Sequence, residues 1–96
     1  MELAAMSENN NYRRIATQMA ERYGVDPEVY NRLIAKESGW DPQARGKAGE
    51  LGLSQIMLET GAKPGLGVTP IQDRADPVDN LRFGAEYLGA LIEEFG

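Results

Sequence analysis

Ninety-six residues are enough for one small core and too few for two, so a single domain over 1–96 is expected. Ten Lys and Arg against fifteen Asp and Glu leave a net charge of -5, which excludes a mainly electrostatic nucleic-acid binder; no nucleic-acid partner is expected. With no Cys and no His, thiol catalysis, Ser-His-Asp triads, the usual zinc sites and disulfides all fall away. No metal or cofactor is therefore expected, and any chemistry rests on carboxylates, hydroxyls, amides or backbone.

The chain begins "MELAAMSENNNYRR", with no charged leader before an apolar run, so no secretory signal is expected and residues 1–10 read as a flexible amino terminus. No stretch reaches membrane-spanning length. The first helix is predicted from about Asn11 to Tyr23, where Tyr12, Ile15, Ala16, Met19 and Tyr23 recur at three- and four-residue steps and Gly24 stops the run. A second opens at Asp26-Pro27-Glu28, an N-cap acid followed by Pro, and ends near Ser38 before Gly39. Its apolar arc is Val29, Tyr30, Leu33 and Ile34, and Glu37 falls within that arc, which predicts that it faces the core side.

"DPQARGKAGELG", residues 41–52, is a loop without the Gly-Lys-Ser/Thr of a phosphate loop, and "GLGVTP" lacks the third Gly of a dinucleotide fingerprint. A short helix is predicted over Leu53–Glu59. Residues 61–76 hold too much Gly and Pro for a helix and have room for a short strand or hairpin at most. The last helix opens at Asp76-Pro77 and runs toward Phe95, with Val78, Leu81, Ala85, Leu88, Ile92 and Phe95 on one face. The fold class expected is mainly α, about four helices around a loop-rich middle.

Glu37 is the acid that breaks an otherwise regular pattern. Partial burial and the negative end of its helix would both favour the protonated carboxyl, and such an acid can give its proton to a leaving group. From pattern alone a second reading stands beside it, a helix-end glutamate whose tip reaches water. Glu50, Glu59, Asp73 and Asp76 lie in loops or at helix ends, where acids cap or are solvated, and no spacing sets a second carboxylate across a cleft from Glu37.

Glu37-Ser38, then Gly52-Leu53-Ser54-Gln55, then Asn80, Gly84, Tyr87 and Leu88, in this order and at this separation, resemble the lytic transglycosylases of the soluble (SLT) type, relatives of goose-type lysozyme. The second motif departs from that family's Gly-Leu-Met-Gln at Ser54. Gly46 stands where a Ser is common, Glu50 where a small apolar residue is common and Leu58 where a Pro usually begins the next turn. The resemblance implies a lysozyme-like fold of the α+β superfamily and cleavage of the β-1,4 bond between N-acetylmuramic acid and N-acetylglucosamine in peptidoglycan.

It also implies that Glu37 is the single acid and base of the reaction, giving a 1,6-anhydro end, with Ser38 orienting it. Gln55 would bind substrate, and Tyr87 would line or brace the cleft, though by pattern Tyr87 serves equally as core. Glu50 is a candidate second carboxylate that would tune Glu37 or make the reaction hydrolytic. The family continues into a helix bearing Ala-Tyr-Asn-Ala-Gly, absent from these residues, so an incomplete domain is expected. A phage virion protein, acting on the host wall beside other virion proteins, is the expected setting. The alternatives are a non-catalytic structural or glycan-binding module and a hydrolytic lysozyme.

Overall fold

The computed structural model describes residues 3–96, with side chains from Glu8 onward. Four helices follow one another: α1 (Leu3–Arg22), α2 (Pro27–Ser38), α3 (Leu58–Ala62) and α4 (Pro77–Phe95). Helix α1 packs against both α2 and α4. It begins at Leu3 and not near Asn11, so residues 3–10 continue the helix; Met1 and Glu2, the rest of the segment expected to be flexible, lie outside the described residues.

The Asp-Pro signals act as expected. The Asp26 carboxylate accepts hydrogen bonds from the backbone N–H groups of Glu28 and Val29 at 2.8 and 3.2 Å. Asp76 accepts from the N–H of Asp79 at 2.9 Å. Each satisfies donors that the first turn of a helix leaves unpaired. Gly24 and Gly39 end α1 and α2 with φ of 75° and 61°, a left-handed conformation that glycine adopts without a Cβ penalty.

The core has two parts. Ala16 and Ala20 of α1, Tyr30 and Ile34 of α2, Leu81 and Ala85 of α4, with Val25, Trp40 and Leu53, form the larger; Ile56, Val68 and Phe83 form the smaller, with Ile71 and Tyr87 against it. Helix α4 is thus buried on two sides. Its predicted single face holds only in the middle: Leu81 and Ala85 are buried, whereas Val78, Ile92 and Phe95 are exposed and Phe83, off that face, is fully buried.

The predicted helix over Leu53–Glu59 is absent. Residues 52–55 form turns, antiparallel bridges join Arg45 to Leu51 and Leu51 to Ile56, and the short helix begins only at Leu58. Local propensity is overridden there by hydrogen bonds from α4, described below. The pairing lies in 45–56, and residues 63–76 contain no strand. That second loop is fastened by Arg82 of α4, which donates to the carbonyls of Thr69 and Pro70 at 2.8 and 3.3 Å and pairs with Asp79 and Glu86, each at 2.8 Å. Asp79 in turn accepts from the N–H of Gln72 at 2.9 Å. Among the described residues, no helix is long and apolar enough to cross a membrane.

Candidate active site

Side chains four apart on a helix form a row. On α2, Tyr30 and Ile34 make the row that enters the core, both fully buried. The neighbouring row is Val29, Leu33 and Glu37; Val29 and Leu33 are 47% and 36% exposed, and Glu37 is exposed. The expectation that Glu37 faces the core side is therefore corrected. It continues the row of Leu33, which lines an open cavity of about 240 Å³, and the partial burial expected to hold its proton is not met. Among the described residues its carboxylate has no hydrogen-bond or ion-pair partner.

The backbone turns sharply behind Glu37. Gly39 and Trp40 both have positive φ, 61° and 66°. The Ser38 hydroxyl donates to the carbonyl of Ile34 at 3.1 Å and accepts from the N–H of Trp40 at 3.2 Å. One proton and one lone pair of that oxygen are thus used in shaping the turn. Trp40, only 4% exposed, carries the Arg13 guanidinium over its ring at 4.9 Å, which locks the turn to α1.

The second motif is built by the third. Asn80 is completely buried; its Oδ1 accepts from the N–H of Ser54 at 2.7 Å, and its Nδ2 donates to the carbonyls of Leu51 and Arg74 at 3.0 and 2.9 Å. A Cβ on Gly52 would collide with that amide, so Gly52 is required by close approach as well as by its φ of 87°. The Ser54 hydroxyl lies 3.2 Å from that of Tyr30 and donates to the carbonyl of Asn80 at 3.2 Å. Tyr30 itself donates to the carbonyl of Leu81 at 2.8 Å, and burial pushes its phenol well above the usual range. Gly84 faces this pair, and a Cβ there would strike both hydroxyls.

Held this way, Gln55 adopts φ of 53°, uncommon for a residue with a Cβ. Both of its amide hydrogens are committed, to the carbonyls of Ala44 at 3.0 Å and Gly52 at 2.9 Å. That fixes which end of the amide is which and leaves Oε1 as the free acceptor. Gln55 and Tyr87 line the same cavity as Leu33, with Tyr30, Ser54 and Gly84 in its wall. Tyr87 is also stacked on Phe83, centroids 5.6 Å apart and planes 14° from parallel, so it braces the cavity from the smaller core.

Glu50 is half-buried, and its Oε1 accepts from the N–H of Ala48 at 2.9 Å. A Cβ on Gly46 would overlap the Glu50 carboxylate and lie 2.9 Å from Gln55 Oε1. The departures at 46 and 50 are therefore a pair: the carboxylate of one fills the space that a side chain on the other would need. The cavity thus brings Gln55 and Tyr87 together, Glu50 meets Gln55 above Gly46, Glu37 extends the Leu33 row, and Ser38 shapes the turn behind it.

Pattern reading missed Asn80 as the clamp and the contact of the buried Tyr30 hydroxyl with half-buried Ser54. The available signal was an amide next to Leu81 in an apolar helix, four residues before a Gly. Such an amide needs partners, and the backbone of a nearby loop supplies them.

The model of the transglycosylase SLT domain matches residues 14–96. Similar proteins include membrane-bound lytic murein transglycosylase F 1 of Alkalilimnicola ehrlichii, 34% identical over 85% of this chain and 16% of that protein. Others are membrane-bound lytic murein transglycosylase C of Actinobacillus pleuropneumoniae, 32% identical over 88% of this chain and 25% of that protein, and membrane-bound lytic murein transglycosylase F of Alcanivorax borkumensis, 36% identical over 80% and 15%. The chain spans about 15–25% of the length of these relatives. With the three motifs in order and the family model matched over most of its length, the chain belongs to the transglycosylase SLT domain family.

Proposed function

We propose that this domain cleaves peptidoglycan glycan strands as a lytic transglycosylase, with Glu37 as its one acid and base. The Glu37 carboxyl gives its proton to the glycosidic oxygen, the C1–O bond breaks, and positive charge develops at C1 of the muramic acid. The carboxylate then takes the proton of that sugar's 6-hydroxyl as O6 bonds to C1. Water is not consumed, so a single carboxyl serves both steps, unlike the pair used in hydrolysis.

Supporting this reading is the position of Glu37 on the row of Leu33, beside a cavity whose wall includes Gln55 and Tyr87. A glycan lying across that row would cover the exposed acid and exclude water from it. Gln55 Oε1 accepts a donor of the sugar, Tyr87 offers a ring face, and Ser38 holds the turn that aims Glu37. Glu50 acts at the flank as a second carboxylate, its oxygen tied to Ala48, and not as an activator of water.

Digestion of purified peptidoglycan followed by mass analysis of the muropeptides tests this. Anhydro ends are expected. Reducing ends that disappear in E50A would make Glu50 a hydrolytic base, and no release at all would leave a glycan-binding or structural module. The virion setting and its companion proteins remain part of the proposal: mass analysis of purified particles finds this chain if a virion carries it.

A further inference from the structure

The oxygens over Gly46 form a seat of acceptors that one backbone donor reaches, the N–H of Ala48. Gln55 Oε1 points there because both hydrogens of its amide are spent on Ala44 and Gly52. The Glu50 carboxylate points there because Gly46 leaves it room, and it receives one N–H, from Ala48. Among the described residues no Lys or Arg pairs with Glu50, and no donor reaches Gln55 Oε1. Converging acceptors of this kind are short of hydrogen-bond donors, and a carboxylate among them favours a charged one.

Resting on the glycan-cleaving reading above, we propose that Glu50 is a specificity-determining residue that, with Gln55, seats a primary ammonium of the cell-wall polymer. An acetamide offers one N–H, whereas an ammonium offers three and a positive charge. Two groups supply that chemistry: an N-deacetylated amino sugar and the side-chain amine of a diamino acid in the peptide stem.

The test uses E37Q, which holds ligand without turnover, and measures affinity by calorimetry. The probes are fully acetylated chitotetraose, its counterpart with free amines, and a disaccharide-peptide carrying lysine with or without ε-acetylation. In one or both pairs the free amine should bind about two- to fivefold tighter, the range of a partly exposed charge pair. E37Q/E50Q should bind both members of that pair alike, and so should E37Q/G46S, whose new side chain displaces the carboxylate. Which pair shows the preference identifies the source of the amine. Equal affinities in E37Q, or a preference that persists in both double variants, would overturn the assignment. If wild type still cleaves peptidoglycan in that case, only this inference falls; if it does not, the function beneath it falls too.

Discussion

Replacing Asn80 by Ala removes three hydrogen bonds at once from a residue with no exposed surface. At about 1 kcal/mol net for each, with water able to reach part of the space left behind, the loss is about 3 kcal/mol. A domain of this size is held by roughly 5–14 kcal/mol, so the change takes a large fraction of the total. It corresponds to a fall in Tm of roughly 15 °C. Urea unfolding followed by circular dichroism should show a lower midpoint at unchanged slope. Asn80→Asp keeps the acceptor for the Ser54 N–H but sets carboxylate oxygen against the carbonyls of Leu51 and Arg74, so it should lose at least as much at neutral pH. An Asn80→Ala protein within about 1 kcal/mol of wild type would refute the clamp.

Gly84→Ala should destabilise by about 2 kcal/mol in the same unfolding experiment, since its methyl must displace the Tyr30 or Ser54 hydroxyl. Arg82→Met should cost about 2 kcal/mol and raise proteolysis within 63–76, because it frees the carbonyls of Thr69 and Pro70 and the partners Asp79 and Glu86. The Asp79 carboxyl is opposed by burial but held below its usual range by hydrogen bonds and charge from Arg82 and by the N–H of Gln72. A lowered folded value stabilises above the unfolded pKa, near 3.9, and that contribution fades as pH falls through the folded value. The Tm gap between wild type and Arg82→Met should therefore be wider at pH 6 than in acid, where only the part owed to the Thr69 and Pro70 carbonyls persists; a constant gap down to pH 2 would contradict this.

Local signals were legible where local forces decide the outcome. Asp26 and Asp76 cap their helices because an acid before Pro meets the first unpaired N–H groups whatever the rest of the chain does, and Gly24 and Gly39 stop theirs for a similarly local reason. The Leu53–Glu59 helix failed because Asn80, far along the chain, takes the N–H of Ser54 and the carbonyl of Leu51. Periodicity placed Glu37 on the apolar arc of α2 but could not tell the row of Tyr30 and Ile34 from that of Val29 and Leu33. Only packing separates them: α1 and α4 cover the first row and leave the second open. Phe83 lies off the single stripe that periodicity marks on α4, because this helix is buried on two sides by two small cores.

On the proposed reading, Glu37 does chemistry and contributes little to the fold. As an exposed side chain without a partner among the described residues, it should tolerate Glu37→Gln with a stability change within about 0.5 kcal/mol. The same change should lower release of anhydro-muropeptides from purified peptidoglycan by about 10²- to 10⁴-fold, the range of a lost general acid and base. A Glu37→Gln protein that melts like wild type and digests peptidoglycan at the wild-type rate would contradict the account.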